Sequence, residues 1–266
     1  MFVFVLKGGS ILNKLFADER RELILSILRE KKRVTVKELA KDVNVSEATL
    51  RTDLNILEEE GLLTRTHGGA ILNVDLPAKK SFSEREKKNR ESKMIIAKKA
   101  IKHISHKDCI LLDASTTGLE LARLLRDSNM KLTVVTNGIS TAIELKENPG
   151  INVILIGGMT RMGSMAIEGL LGINILDKIN IDTMFTSASG FTIEEGLTDF
   201  NVYEVELKKV MANKAEKIIA LLDMSKIGTS SIATFAKCEQ IDTLIVDDKL
   251  SDEYIATLAN YNIKVD

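Results

Sequence analysis

The chain has 266 residues, of which 44% are hydrophobic, so it can bury a sizeable core, and we expect two domains. Its formal net charge of −1 excludes any argument for nucleic-acid binding from overall charge. The two cysteines are far apart in the sequence and have no metal-binding or redox spacing, which fits a reducing cytoplasm.

Residues 1–17 begin with an apolar run that no positively charged region precedes and that is too short to span a bilayer. They therefore predict neither a signal peptide nor a membrane anchor. We expect a loosely packed or disordered extension, and a protein that acts in the cytoplasm without membrane partners.

Residues 18–75 are predicted to form a winged helix-turn-helix. Thr35 and Glu38 have the spacing of a capping box, which starts a first helix, and Ser46 is a good N-cap for a second. Leucines in the second helix recur at the spacing that lines a buried face: Leu50, Leu54 and Leu57. The other face of this helix is polar and suits the major groove in width and chemistry.

Gly61 is predicted to end the second helix, and residues 62–66 and 70–72 can pair as the strands of the wing. The turn between them, His67-Gly68-Gly69, has glycines that tolerate the positive φ of a tight turn. The predicted DNA contacts come from the helix caps, the polar face and the wing. They are Thr35, Ser46, Glu47, Thr49, Arg51, Thr52, Asn55, Arg65 and His67.

These motifs resemble the DeoR family of bacterial transcriptional repressors. The positions that match the family pattern are Ser46, Thr49, Leu50, Arg51, Asp53, Leu54, Gly61, Leu62, Leu63, His67, Gly68, Gly69 and Ala70. Thr52 departs from it, since the family usually has a second arginine there, and this departure leaves the operator sequence open.

A basic segment follows. Residues 76–102 carry 10 basic and 3 acidic side chains. We interpret residues 76–92 as a basic linker, a solvated segment that can also draw the protein toward DNA.

Residues 93–266 alternate short apolar runs with helical patterns, which predicts βαβ units and a doubly wound, mostly parallel sheet. The candidate strands are 109–113, 132–136, 152–157, 182–187, 217–223 and 242–247. Ligands in such sheets bind at the carboxyl ends of the strands, and small or polar residues follow the first five.

Two features of these strand ends suit a phosphate group. Hydroxyls and amides occur together where Ser115-Thr116-Thr117 opens a helix, and Lys226 adds a positive charge. The predicted effector-binding residues are Asp113, Ser115, Thr116, Thr117, Thr136, Asn137, Gly157, Gly158, Ser189, Gly190 and Lys226.

The resemblance to the DeoR family covers roughly residues 17–250. It implies an effector domain similar in fold to ribose-5-phosphate isomerase and glucosamine-6-phosphate deaminase, which senses a phosphorylated sugar and assembles as a homodimer or homotetramer. It implies no cofactor. Ser115 stands where the family often has glycine and Ser189 where it often has aspartate, so the identity of the effector stays open.

The alternative is an active sugar-phosphate isomerase or deaminase fused to a DNA-binding module, which needs a carboxylate as general base. The candidates are Asp113, Glu194, Glu195, Asp199 and Glu204. We favour a sensor without catalytic residues. A protein-binding scaffold explains the domain pairing less well. His103 and His106 lack a metal-site spacing, and we expect them to close a helix that begins at Lys93.

Overall fold

A computed structural model of the chain describes residues 17–31, 33–59, 63–66, 68–72, 82–161 and 163–266. The chain divides into two compact units, Met1–Lys79 and Lys80–Asp266. The expectations for residues 1–16, for Gly61 and for His67 lie outside the described residues. Across the described part, every helix is too short or too polar to cross a membrane.

The described part of the first unit consists of helices and one small antiparallel sheet. Its elements are α1 (Ala17–Lys31), β1 (Arg33–Thr35), α2 (Val36–Val43), α3 (Glu47–Glu59), β2 (Leu63–Thr66) and β3 (Gly69–Leu72). The strands lie in the order β1-β3-β2. Helices α2 and α3 with the β2-β3 hairpin are the predicted winged helix-turn-helix, and β1 is a third strand that the sequence did not predict.

The predicted caps of both helices are confirmed. Thr35 Oγ1 accepts from the Glu38 amide at 3.2 Å while Glu38 Oε2 accepts from the Thr35 amide at 3.0 Å. Asn44 ends α2 in the left-handed region at φ 58°, which asparagine tolerates better than most residues. Ser46 Oγ then accepts from the Thr49 amide at 3.1 Å and starts α3.

One apolar core holds this unit together. It is built from α1, α2, α3 and the sheet, and its fully buried members include Ile24, Leu28, Leu39, Leu50, Leu54, Leu57, Leu63 and Ala70. Each such leucine contributes roughly 1.5–3 kcal/mol by leaving water. The leucine face predicted for α3 is therefore buried, as expected.

The reason for the wing glycines differs from the prediction. Neither Gly68 nor Gly69 has a positive φ. A Cβ on Gly69 would lie 2.2 Å from the carbonyl oxygen of Val34, because β1 pairs with β3 at this residue. At Gly69 the close approach of β1, and not turn geometry, therefore requires the absence of a side chain, whereas Gly68 has open space around it.

The second unit is an α/β domain. Its elements are α4 (Phe82–Lys87), α5 (Arg90–Ala100), β4 (Cys109–Leu112), α6 (Thr116–Arg126), β5 (Leu132–Thr136), α7 (Ile139–Leu145), β6 (Ile151–Leu155), β7 (Ile181–Thr186), β8 (Gly190–Thr192), β9 (Gly196–Asp199), α8 (Val202–Lys214), β10 (Ala215–Leu222), β11 (Ala233–Ala236), β12 (Thr243–Val246), α9 (Asp252–Ala259) and β13 (Lys264–Val265).

A seven-stranded sheet in the order β13-β12-β10-β7-β4-β5-β6 forms the centre of this unit, and all its strand pairs are parallel. Alternate residues of each strand enter two different apolar clusters. Leu111 packs with α8 on one face, while Ile110 and Leu112 pack with α5 and α6 on the other. The domain is therefore a three-layer α/β fold, as predicted.

Several details differ from the sequence expectations. All six predicted strands exist, but β6 ends two residues before the predicted limit, and β13 and the antiparallel sheet β11-β9-β8 were not predicted. The basic segment 76–92 is not a plain linker. From Phe82 onward it forms α4 and the start of α5.

Candidate functional sites

The exposed face of α3 carries the side chains predicted to read DNA. Glu47, Thr49, Arg51, Thr52 and Asn55 are all exposed, opposite the buried leucines. Because the apolar face fixes how the helix sits in its unit, these polar groups keep a defined spacing along the outer side. Hydroxyl, amide and guanidinium groups of this kind can contact base edges and phosphates.

Interactions within α3 orient part of this face. Arg51 lies 3.5 Å from Glu47, one turn earlier, and both side chains remain more than half exposed. The hydroxyls of Ser46 and Thr49 share a hydrogen bond of 2.9 Å, and the Thr52 hydroxyl donates to the Ala48 carbonyl at 3.2 Å. Arg51 is the one basic residue of α3, all of whose residues are described, and its guanidinium remains exposed.

The wing strand β2 is attached to the same helix. The Arg65 guanidinium donates to Asn55 Oδ1, and the Arg65 amide donates to Glu58 Oε1 at 2.8 Å. Two predicted DNA contacts, Arg65 and Asn55, are thus brought together. Thr35 remains exposed at the cap of α2.

Sequence reasoning matched Asp53 to the family pattern without giving its role. Asp53 is 3% exposed and accepts from Arg20 Nε at 2.6 Å, with Arg21 Nε 3.7 Å away. The hydrogen bond to Asp53 raises the pKa of Arg20. This ion pair joins α1 to the inner side of α3 and so helps to fix the exposed face.

The predicted effector residues follow strands of the seven-stranded sheet and share one of its edges. Since the strands are parallel, the carboxyl ends of β10, β7, β4, β5 and β6 lie side by side in that order. The structure therefore brings together the loops that carry Lys226, Ser189 with Gly190, Asp113 with Ser115, Asn137, and Gly157 with Gly158.

Asp113 connects two of the loops at this edge. It is fully buried, and its Oδ2 accepts from the Thr186 hydroxyl at 2.7 Å and the Ser187 amide at 3.0 Å. Its Oδ1 accepts from the Ser115 amide at 3.1 Å. Asp113 thus joins the loops after β4 and β7.

The next loops are joined in the same way. Asn137 accepts from the Ala114 amide at 3.0 Å and donates to the Ile167 carbonyl at 3.0 Å. Thr136 Oγ1 accepts from the Gly138 amide at 3.0 Å. Asn137 and Thr136 are fully buried, so their polar groups position the loops.

Ser115, Thr116 and Thr117 are buried at the start of α6. Ser115 Oγ caps the helix by accepting from the Gly118 amide at 2.9 Å. Within the described residues, the hydroxyls of Thr116 and Thr117 make no hydrogen bond, so they and the first helix amides are the polar groups left for a ligand.

The glycines at this edge have different surroundings. Gly157 and Gly158 are exposed in the loop after β6. A Cβ on Gly190 would lie 2.4 Å from the Thr229 carbonyl oxygen, so a close backbone approach requires glycine there. Gly190 therefore supports the site through packing.

A buried lysine that sequence reasoning missed lies behind these loops. Lys208 of α8 is 1% exposed, and its Nζ lies 2.9 Å from Asp199, 3.1 Å from Asp113 and 3.9 Å from Glu204. It also donates to the Ser187 carbonyl at 2.9 Å. Although burial lowers it, the three carboxylates raise the pKa of Lys208 above its usual range, so the amine is charged.

The carboxylates around Lys208 differ in their ionisation. Burial opposes ionisation of Asp199, but Lys208 and the hydrogen bond from Ser189 Oγ, 2.6 Å long, lower its pKa below the usual range. Burial raises the pKa of Glu204 to about 7, against the positive charges of Lys208 and Arg85. Ser189 therefore supplies no carboxylate of its own, and its hydroxyl donates to the carboxylate of Asp199.

Lys226 lies in a single helical turn, Met224–Lys226, after β10 and is half-buried. Asp223 caps this turn by accepting from the Ser225 amide at 3.0 Å. Asn89, between α4 and α5, donates to Asp223 Oδ1 at 3.1 Å. The loop that carries Lys226 is thus hydrogen-bonded to the segment between α4 and α5, near the start of this domain.

The remaining candidates have ordinary surroundings. Glu194 and Glu195 are exposed at the turn between β8 and β9. His103 lies 3.2 Å from Asp266, and His106 Nδ1 accepts from the Lys131 amide at 3.3 Å. Cys238 is buried, whereas Cys109 is only partly buried.

Known proteins resemble this chain in both units. Residues 20–75 match the DeoR-like helix-turn-helix domain, and residues 88–248 match the DeoR C-terminal sensor domain. The chain is 45% identical over 237 residues to the HTH-type transcriptional regulator GolR of Listeria innocua, covering 89% of this chain and 93% of GolR.

It is also 32% identical over 248 residues to the HTH-type transcriptional repressor GlcR of Bacillus subtilis, covering 93% of this chain and 95% of GlcR. Among solved structures, ribose-5-phosphate isomerase A of Neisseria gonorrhoeae superposes with a TM-score of 0.40 at 17% identity, covering 52% of this chain and 53% of the isomerase.

Proposed function

The chain belongs to the DeoR family of transcriptional regulators, and from this premise we propose that it represses a carbohydrate-utilisation operon under the control of a phosphorylated sugar. The DNA-binding half of the proposal rests on α3, whose leucines are buried and whose opposite face is exposed and polar. The effector half rests on one observation, the five polar strand ends that share an edge of the parallel sheet.

In this proposal α3 enters the major groove of operator DNA. Arg51, Thr49 and Asn55 read base edges or neighbouring phosphates, and Arg65 of the wing adds a phosphate contact. A homodimer or homotetramer in the cytoplasm presents two such helices about one DNA turn apart, and effector binding changes their placement.

The sheet edge suits a sugar phosphate by its chemistry. The amides and hydroxyls at the start of α6 donate to the phosphate, and Lys226 adds a positive charge. The Glu204 carboxyl can accept from a sugar hydroxyl, whereas Asp199 uses both of its oxygens within the protein. Because Asp113, Thr136 and Asn137 use their polar groups within the protein, we assign them to positioning the loops.

Calorimetric titration of the full chain against a panel of sugar phosphates tests the effector half. Lys226→Ala should weaken binding roughly tenfold or more while leaving affinity for operator DNA unchanged. Lys249→Ala is the matched control, because Lys249 is an exposed lysine in the loop after β12, outside the five loops. Equal affinity of Lys226→Ala and wild type would remove Lys226 from the site, and a panel without any ligand would refute control by a sugar phosphate.

Catalysis is the second candidate, and the burial of Glu204 favours it. A carboxyl whose pKa is about 7 can exchange a proton near neutral pH, as a general base must. Incubating the protein with each sugar phosphate that binds, and following isomer formation or ammonia release, distinguishes the two. We expect binding without conversion, and turnover that Glu204→Gln abolishes would establish the enzyme.

A further inference from the structure

Helix α4, the first element of the second unit, spans the loops of the sheet edge. At its start the Phe82 amide donates to the carbonyl of Gly163 in the loop after β6, at 3.4 Å. Just past its end, Asn89 donates to Asp223 in the loop after β10. In the sheet order β10-β7-β4-β5-β6 these are the outermost of the five loops, so α4 passes over the ends of the strands between them.

Arg85 lies halfway along α4 and faces this edge. Its guanidinium carbon is 5.8 Å from the centre of the Phe82 ring and 6.0 Å from that of Phe200, the residue after Asp199. Its positive charge also acts on the buried Glu204 carboxyl. The guanidinium therefore lies near both rings, beside the carboxylate cluster.

Within the described residues, the Arg85 guanidinium makes no ion pair with the carboxylate cluster. Its Nε is buried and donates to no acceptor there, and every ion pair of the cluster goes to Lys208 instead. A buried donor of this kind destabilises the protein unless another molecule satisfies it. The other nearby buried cation, Lys93, already donates to the carbonyls of Arg85 and Lys88.

We propose that Arg85 binds the phosphate group of the effector and that α4 thereby reports occupancy of the site to the segment that leads to the DNA-reading unit. The proposal deepens, and rests on, control by a phosphorylated sugar. Arginine suits this role because its planar fork donates two parallel hydrogen bonds to phosphate oxygens. The carboxylates around Lys208 repel an anion from deeper in the site, so Arg85 and Lys226 are the cations that would bind the phosphate together with the start of α6.

The first test uses inorganic phosphate as the probe and needs no knowledge of the sugar. Thermal unfolding of the full chain is followed during titration with phosphate or with sodium chloride at equal ionic strength. Phosphate should stabilise the wild type saturably, and Arg85→Gln should weaken this response roughly 10- to 100-fold in concentration. Lys87→Gln, which removes the same charge from an exposed position of α4, should respond like wild type.

Arg85→Lys keeps the charge and the aliphatic stem over both rings but loses the fork, so an intermediate response is expected from a variant that folds. Stabilisation of Arg85→Gln at the wild-type phosphate concentration would overturn the proposal, and so would a wild type that phosphate does not stabilise more than chloride.

The second test measures release from a duplex selected in vitro for binding to the wild type. A sugar phosphate that releases the wild type and Lys87→Gln should fail to release Arg85→Gln at the same concentration. If it releases Arg85→Gln equally, the role of Arg85 is refuted while the proposed function stands. If no panel member binds or releases the wild type, the proposed function fails, and the phosphate titration still decides whether Arg85 binds an anion.

Discussion

Replacing Lys208 by methionine should destabilise the second unit more than any change at its surface. The amine lies 2.9 Å from Asp199 and 3.1 Å from Asp113, and the lysine is 1% exposed. Methionine fills much of the same volume but carries no charge, so the Lys208→Met variant keeps three carboxylates in a buried cluster without their cation.

Breaking a buried ion pair by removing one partner costs about 3–5 kcal/mol, since the remaining charge stays out of water. For a domain of this size, 1 kcal/mol corresponds to about 2–4 °C in melting temperature, so Lys208→Met should lower it by about 6–20 °C. The loss of stability caused by Lys208→Met should be smaller at pH 5 than at pH 8. Without Lys208, burial raises the pKa values of the three carboxyls in the folded state. Their protonated forms are therefore tolerated at low pH, and the variant loses stability as the pH rises and they ionise.

Thermal or urea unfolding of the full chain measures this effect, with Lys209→Met as the control. Lys209 is the next residue of α8, its side chain is 45% exposed, and it lies 2.8 Å from Glu206. The control should change stability by less than about 0.5 kcal/mol. A Lys208→Met deficit below about 1 kcal/mol at pH 8, or one no larger than the control, would refute the reasoning.

Four further outcomes are expected. Arg51→Ala should cost roughly 1–3 kcal/mol of specific DNA binding in gel-shift titrations at fixed salt, and unchanged affinity of the folded variant would remove Arg51 from the interface. Arg65→Ala should weaken specific and random duplexes alike and reduce the salt slope by about one unit, whereas a loss limited to the specific duplex would make it a base reader. Asp53→Ala should destabilise the first unit by about 1–3 kcal/mol in urea unfolding, because the buried Asp53 carboxylate accepts a charged hydrogen bond from Arg20 that joins α1 to α3, and an unchanged stability would contradict this. Glu204→Gln should raise the free energy of unfolding by up to about 3 kcal/mol at pH 8 and leave it unchanged at pH 4. The pKa of Glu204 is about 7 in the folded state, so the wild type loses stability as the pH rises from about 4.5 to 7. Equal effects at both pH values would be inconsistent with a buried acid.

The parts of the fold that could be predicted from the sequence are those whose causes are local. The capping box of Thr35 and Glu38 and the hydroxyl of Ser46 act over three residues, and strands such as β4 and β5 are continuous apolar runs. Strand β1 could not be predicted, because only three residues form it and its partner β3 comes more than thirty residues later.

The charged cluster could not be predicted for a similar reason. Lys208 occupies a core position of α8, three residues after Val205 and three before Met211, and a lysine at such a position was the available signal. The role of Lys208 depends on Asp113, which follows β4, and on Asp199, which ends β9. A parallel sheet predicts which strand ends lie at the same edge. It does not predict that most of the polar groups at these strand ends bind each other.

The order of the strands has one more consequence. From β4 the chain crosses to β5 through α6 on one face, whereas from β7, the neighbour of β4 on the other side, it crosses to β10 through α8 on the opposite face. In doubly wound sheets such a change of winding direction opens a crevice between the two strands. Here the buried Asp113 carboxylate bridges it by accepting from Thr186 and Ser187, so a single side chain at the end of β4 joins the two halves of the sheet at the crevice.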